Sequence, residues 1–195
     1  MTTPLTARDR AKAERAGALL TEAARLFAER GYSGVSLEDI GAAVGVSGPA
    51  VYRHFSGKQA LLGAVLVKVS EDLVSGGTRV SEDAQDEEER MQSLIDFHVE
   101  FALGNAEVIR VQDRELAHLS DEDRAAVRRL QRGYIDLWIS ALAPLHDAPA
   151  DDLRLRVQAC FGLINSTPHS TRSVSRSTRS AGAILRAMAR AAITA

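Results

Sequence analysis

The most constraining feature of this sequence is a stretch, residues 36–58, in which three helix starts follow one another at short spacing. Ser36, Ser47 and Ser56 each precede a segment of helical character, and Ser36 has an acid three residues later, as in a capping box. Gly45 lies between the first two starts, where a tight turn favours glycine. The stretch therefore predicts two short helices joined by a turn, with a third helix beginning near residue 57.

The second of these helices divides into an apolar side and a polar side. Val51 and Phe55 lie four residues apart and can pack inward together. A helix in the major groove of DNA presents small residues close to the bases and hydrogen-bonding groups to base edges and phosphates. Lys58, in the first turn of the third helix, suits a phosphate at that helix end. The candidate DNA contacts are Ser36, Ser47, Gly48, Pro49, Ala50, Tyr52, Arg53, His54 and Lys58.

A combined motif runs through the first third of the chain and consists of Phe27, Gly31, Tyr32, Ser36, Ile40, Gly45, Val46, Ser47, Val51, Tyr52, His54, Phe55, Lys58, Leu61 and Leu62. With this motif, roughly residues 10–65 resemble the DNA-binding domain of the TetR family of bacterial transcriptional regulators. Gly41 and Gly48 depart from the pattern: the family usually has Ala at the first, and many members carry a side chain at the second. The resemblance implies a DNA-binding regulator, with a repressor as the family-weighted expectation. An αα-hairpin without a DNA role stays open as an alternative.

The rest of the chain predicts an all-α protein of two unequal domains. No period-2 strand pattern occurs, and the further predicted helices cover residues 9–30, 57–75, 86–103, 106–118, 121–143, 151–166 and 179–194. We expect a helix-turn-helix domain over residues 1–56 and a larger domain over 57–195, with helix 57–75 joining them. Ser75 to Thr78, which include two glycines, predict the end of that helix. The Ser- and Arg-rich residues 166–180 predict a loop, with a DNA-contacting arm as the open alternative.

Charge is distributed unevenly over these two parts. Residues 1–70 hold nine Lys and Arg against six Asp and Glu, whereas the remainder holds fifteen against twenty. A basic module joined to an acidic one fits a protein that binds nucleic acid at one end only.

The resemblance also implies a homodimer and an effector pocket in the larger domain. In the family, the last two helices form the dimer interface, which here are residues 151–166 and 179–194; an intrachain core is the alternative for their apolar faces. The middle helices enclose a small, lipophilic effector, and an acyl-CoA is one candidate. The effector would favour a dimer geometry that does not fit the operator, with helix 57–75 carrying the change. The candidate lining residues are Phe97, Phe101, Tyr134, Trp138, Phe161 and Asn165.

Several classes of protein are disfavoured. The chain contains no P-loop, G-x-S-x-G or H-E-x-x-H motif, so we expect neither an enzyme nor a cofactor. The histidines lack a ligand-like spacing, which argues against a metal site. We expect a cytoplasmic protein for three reasons. The chain has a single cysteine, Cys160, it shows no signal peptide, and it has no apolar stretch long enough to cross a membrane. A helical adaptor that does not bind DNA remains the alternative function.

Overall fold

The computed structural model describes residues 6–166 and 178–195, and the regular secondary structure in these ranges is entirely helical. The prediction of an all-α chain is confirmed. Two 3-10 turns follow α6 and α7, at Leu116–His118 and Ala143–Leu145. The helices are α1 (Ala7–Arg30), α2 (Leu37–Ala43), α3 (Gly48–Val51), α4 (Lys58–Glu82), α5 (Glu87–Gly104), α6 (Ala106–Glu115), α7 (Asp121–Leu142), α8 (Ala150–Asn165) and α9 (Thr178–Thr194).

The first three helices form the predicted helix-turn-helix unit. The predicted capping box at Ser36 is present: its hydroxyl accepts from the backbone N–H of Asp39, and the Asp39 carboxylate accepts from the backbone N–H of Ser36. Gly31 and Gly45 have positive φ angles of 73° and 75°, so both turns use conformations that other residues rarely adopt. Ser47 is the N-cap residue of α3, as its predicted helix start requires, but its side chain makes no cap hydrogen bond. At the third start, Gly57 rather than Ser56 is the N-cap of α4.

One apolar core anchors this unit to α4. Phe27 of α1, Ile40 of α2, Val51 of α3 and Leu62 of α4 are each 1% exposed or less, and they belong to one cluster of contacting side chains. Val127 of α7 belongs to the same cluster, so the core of the N-terminal unit is completed by a helix from the second half of the chain.

The helix α4 is longer than the sequence predicts. The break expected at Ser75 to Thr78 was wrong, since α4 runs on to Glu82. A Cβ atom at Gly76 would lie 2.3 Å from Cζ of Phe97, and one at Gly77 would lie 2.6 Å from Cε2 of Tyr134. The two glycines therefore let aromatic rings from α5 and α7 approach the α4 backbone, and this packing outweighs their poor helix propensity.

A second core lies among α5, α7, α8 and α9. Trp138, Leu94, Val157 and Ile193 are fully buried within it. Residues 167–177 of the predicted loop 166–180 lie outside the described residues, and α9 begins at Thr178. None of the helices in the described ranges is long and apolar enough to span a bilayer.

Candidate nucleic-acid interface and ligand cavity

The turn after α3 carries the outward-facing polar side chains. His54 and Phe55 donate backbone hydrogen bonds to the carbonyl oxygen of Val51, at 2.9 and 3.1 Å, so a helical turn continues beyond the end of α3. Tyr52 is 55% exposed, Arg53 is exposed and His54 is half-buried, whereas Val51 is fully buried. This segment therefore holds its polar groups toward solvent while Val51 fixes it to the core.

The small residues at the start of α3 lie close to α2. A Cβ atom at Gly48 would lie 3.2 Å from Oε1 of Glu38, and one at Gly41 would lie 2.9 Å from the carbonyl oxygen of Val46. Ser47 and Pro49 are exposed, and Ala50 is half-buried. Because these side chains are short, the surface that α3 presents beside Tyr52 is one that another backbone can approach closely.

Two of the predicted contacts are engaged within the chain. The hydroxyl of Ser36 donates to Oδ2 of Asp39 at 2.7 Å, as part of the cap of α2. The Lys58 ammonium donates to the carbonyl oxygens of Tyr32 and Val35 at 2.8 and 2.9 Å, and it lies 4.4 Å from the centre of the Tyr32 ring. One of its three N–H donors remains for another acceptor.

Lys58 belongs to a polar junction that the sequence analysis missed, formed by Tyr32, Lys58, Glu115 and His118. Glu115, only 7% exposed, accepts from the Tyr32 backbone N–H at 3.2 Å and pairs with Nδ1 of His118 at 3.1 Å. The His118 ring stacks on Tyr32, with 4.6 Å between centroids. The junction thus joins the end of α6 to the α1–α2 turn and to the start of α4. The available signal was the position of Glu115, an acid four residues after Val111 on the apolar stripe of α6.

The larger half of the chain contains a cavity of about 160 Å³ beside an aromatic cluster, which is formed by the contacting rings of His98, Tyr134, Trp138 and Phe161. Of the predicted lining residues, Tyr134, Phe161 and Asn165 do line it, and Trp138 packs edge-on against the Phe161 ring at 4.9 Å. Phe97 and Phe101 do not line it: they pair with each other at 6.4 Å, and Phe97 covers Gly76 of α4. The cavity is lined by Ser70, Leu73, His98, Gln112, Leu130, Gln131, Tyr134, Ile135, Phe161 and Asn165.

The polar centre of the cavity is His98, which was not among the predicted lining residues. Its Nε2 lies 3.2 Å from Oδ1 of Asn165, and its Nδ1 lies 3.2 Å from the Tyr134 hydroxyl. Burial lowers the pKa of His98 to about 4, so the ring is neutral at pH 7. Because Asn165 offers an acceptor, Nε2 carries the proton and donates, and the Tyr134 hydroxyl donates to Nδ1. None of the lining side chains is therefore charged.

The thiol of Cys160 lies in an environment that does not favour reactivity. Cys160 is buried between α8 and α9, with its Sγ 3.9 Å from the carbonyl oxygen of Ala189. Burial raises the pKa of the thiol to about 11. The residue therefore acts as a small apolar side chain.

An all-helical chain with a helix-turn-helix unit and a separate helical core is the architecture of one class of bacterial regulator. Residues 19–65 match the family model for bacterial regulatory proteins of the tetR family. Residues 84–169 match the model for the tetracyclin repressor-like C-terminal domain. The chain therefore belongs to the TetR family of transcriptional regulators. The family and the matched relatives are transcriptional regulators, not enzymes.

Two curated relatives and one solved structure define the similarity further. The transcriptional activator FasR of Mycolicibacterium smegmatis is 35% identical over 88 residues, which are 45% of this chain and 40% of FasR. The transcriptional repressor KstR2 of Rhodococcus jostii is 26% identical over 132 residues, 67% of this chain and 65% of KstR2. These matches span less than two thirds of either relative.

The solved structure is that of AibR in complex with isovaleryl coenzyme A and operator DNA. It superposes with a TM-score of 0.74 at 21% identity, over 89% of this chain and 97% of AibR. At this level of identity the likeness establishes the fold alone.

Proposed function

We propose that this chain is a sequence-specific DNA-binding transcriptional regulator whose α3 and following turn enter the major groove. The observation that carries the proposal is the outward placement of Tyr52, Arg53 and His54 on a turn that the buried Val51 holds in place. The proposal keeps the nine predicted contacts, the division into domains at residues 56 and 57, and the cytoplasmic location of a protein that binds chromosomal DNA.

The proposed contacts have different roles. Gly48, Pro49 and Ala50 are too short to reach far, so they allow α3 to approach the base edges. Tyr52, Arg53 and His54 supply donors to bases and phosphates. The free N–H of Lys58 binds a phosphate, while its other two donors hold the α1–α2 turn. Ser36 contributes to the DNA-binding surface by capping α2, and Ser47 contributes to it as an exposed residue directly before α3.

The test is a binding titration with a duplex taken from the region upstream of the protein's own gene. Replacing Tyr52 or His54 by Ala should weaken binding, whereas the dimer should survive. Arg53→Ala should weaken binding in the same way, and Arg129→Ala is its matched control, because Arg129 is an exposed arginine of α7. If Tyr52→Ala and His54→Ala bind the operator as well as the parent, the assigned roles are wrong.

We propose that the chain acts as a homodimer through α8 and α9. Leu155 is 66% exposed, and Ile184 and Met188 are 46% and 50% exposed. The opposite faces of these helices are buried within the chain, where Val157 and Ile193 are inaccessible. The apolar residues left outside are the ones that a second copy would cover. A two-fold dimer would place two α3 helices one DNA turn apart and would read a palindrome.

We propose that the cavity around His98 holds a small effector. The protein would act as a repressor, and binding of the effector would release it from the operator. The uncharged lining suits a lipophilic group that also accepts or donates a hydrogen bond. At about 160 Å³ the cavity is smaller than the roughly 300–1,000 Å³ of most ligand sites, so a larger effector must displace the helices around it. AibR, of the same fold, binds both isovaleryl coenzyme A and operator DNA, which supports an acyl-CoA as one candidate.

Two helices, α4 and α6, connect the cavity to the DNA-binding unit, so a displacement of either one by an effector can reach that unit. Ser70 and Leu73 of α4 line the cavity, and α4 begins at the junction with Lys58. Gln112 of α6 also lines the cavity, and Glu115 lies one turn further along the same helix. Candidate effectors can be screened by the rise in melting temperature, followed by titration of the DNA complex. An effector that binds the cavity and leaves operator affinity unchanged would refute this switch.

A helical adaptor without DNA binding is the remaining alternative. The affinity of a true DNA-binding protein falls steeply with salt, with a slope of about −0.9 for each neutralised phosphate on a double logarithmic plot. Absence of salt-dependent binding to any duplex would favour the adaptor.

A further inference from the structure

A groove between the start of α1 and the turn after α3, which we call the α1–α3 groove, is lined mainly by basic side chains. Arg8, Lys12 and Arg15 come from α1, and Arg53 and His54 come from the turn after α3. The groove has a volume of about 590 Å³. It therefore brings together side chains from segments that are separated by some forty residues in the sequence.

The three α1 residues form a single row. Their spacing of four and three residues places them on one face of the helix. Seven residues of α-helix rise by about 10 Å, which is the rise of about three successive phosphates along one strand of a duplex. The row and the groove that it borders thus have the length and the charge of a site for part of a sugar-phosphate strand.

The cations that line the groove outnumber its acids by four to one. Arg8, Arg15 and Arg53 are exposed and have no carboxylate within salt-bridge distance in the described residues. The one acid that lines the groove, Asp9, accepts from the Thr6 hydroxyl at 2.6 Å in the cap of α1.

Arginines elsewhere in the described residues are found with and without a salt bridge: Arg129 and Arg156 have none, whereas others are paired. Arg154 pairs with Asp136 at 2.8 Å, and Arg186 pairs with Asp96 at 3.0 Å. Four cations gathered around a single acid cost free energy unless an external anion compensates them. The gathering of four cations around one acid on a single surface, rather than the state of any one arginine, indicates an anionic partner at the groove.

We infer that Arg8, Lys12 and Arg15, together with Arg53, bind the sugar-phosphate backbone of the DNA beside the residues that contact the bases. Arg53 and His54 line the groove and directly follow Tyr52, so a duplex at α3 brings one of its strands to the groove. The inference rests on the proposed function and extends the DNA-binding surface onto the first helix. These contacts add affinity and fix orientation, and they carry no base preference.

The test compares Arg8→Ala, Lys12→Ala, Arg15→Ala and the triple variant with Arg10→Ala. Arg10 is a matched control, because it is an exposed arginine of the same helix and does not line the groove. Fluorescence anisotropy measures the affinity for the operator duplex and for a duplex of unrelated sequence, at salt concentrations from 50 to 300 mM, roughly the range over which phosphate contacts change affinity.

Each single substitution should lower the magnitude of the salt slope by about 1.8, since a dimer loses one phosphate contact per subunit. At about 0.1 M salt the affinity should fall by roughly 10–100-fold, by a similar factor for both duplexes. Arg10→Ala should keep the slope and the affinity of the parent. The melting temperatures of all the variants should match that of the parent, because the substituted side chains are exposed.

Two results would overturn the inference while leaving the proposed function intact. One is a triple variant that binds DNA with the parent's slope. The other is a loss of affinity confined to the operator at an unchanged slope, which would assign these residues to base recognition or to the shape of α3. A parent protein that binds neither duplex would overturn the proposed function, and this inference with it.

Discussion

Acid should destabilise this protein through His98, and the size of the effect follows from its burial. In the folded chain the ring is neutral, because its burial in the aromatic cluster lowers the pKa to about 4. In the unfolded chain the same ring has the ordinary pKa of about 6.5. As the pH falls from 6.5 towards 4, the unfolded state takes up a proton that the folded state does not bind. Stability is therefore fully present above pH 6.5 and is lost as the pH falls.

The magnitude is set by the difference between the two pKa values. A difference of about 2.5 units corresponds to about 3 kcal/mol, since each unit is worth about 1.4 kcal/mol. This is a large fraction of the 5–15 kcal/mol by which a typical domain is stable. Below pH 4 both states bind the proton, so the loss from this residue stops growing.

The variant His98→Gln isolates this contribution. A glutamine can donate to Asn165 and accept from Tyr134, so it retains both hydrogen bonds without a titrating group. It loses the stack of the His98 ring on Phe161, whose centroids are 4.5 Å apart, and this loss does not depend on pH. The parent should therefore be the more stable protein at pH 7.5, and its advantage should shrink by about 3 kcal/mol at pH 4.

Urea unfolding of the parent and of His98→Gln, at matched protein concentration and at intervals between pH 7.5 and 4, measures this difference directly. Subtracting the two curves removes the contribution of every other titrating group. A difference in unfolding free energy that stays constant over the whole pH range would refute the argument that His98 is buried without a charge.

The remaining predictions concern the packing of α4, the proposed dimer and the junction. Gly77→Ala should lower the unfolding free energy by about 1–3 kcal/mol in urea titrations, because the added methyl group meets the Tyr134 ring. Leu155→Glu should convert the dimer to a monomer in sedimentation velocity, because it places a charge on the apolar face of α8. Glu115→Ala should cost about 1–3 kcal/mol, because it removes the acceptor of the Tyr32 N–H, and it should speed hydrogen exchange at that amide. A Tyr32 amide that exchanges at the parent's rate would contradict the role of Glu115.

The sequence predicts the helices of this protein well where caps and apolar periodicity agree. The Ser36 box, the positive φ angles of Gly31 and Gly45, and the inward Val51 depend on local signals, and each is present in the structure. The end of α4 could not be predicted in the same way. Whether Gly77 breaks a helix or receives an aromatic ring depends on Tyr134, which is more than fifty residues away in the sequence.

The cavity was only half predictable for a related reason. Aromatic composition drew attention to Tyr134 and Phe161, which do line it, and equally to Phe97, which packs on α4 instead. The polar residue Asn165 was predicted, but His98 was not, because it lies on the apolar stripe of α5, where a single polar residue resembles an interruption of the pattern. The role of His98 became evident only from the structure, in which α7 and α8 place Tyr134 and Asn165 each 3.2 Å from one of its ring nitrogens.

The junction at Tyr32 gives the proposed switch a definite mechanical basis. The two helices that contribute Ser70 and Gln112 to the cavity also hold this one residue from both sides: α6 through Glu115 at its N–H, and α4 through Lys58 at its carbonyl oxygen. A ligand that separates α4 from α6 cannot leave both bonds at their present lengths, since close-packed helices move as rigid units rather than deform. Tyr32 begins the turn that leads into α2, so a change in either bond alters the position of the helix-turn-helix unit relative to α4. In a dimer, such a change in each subunit would alter the distance between the two α3 helices. An operator with fixed half-site spacing binds tightly only when that distance matches the spacing.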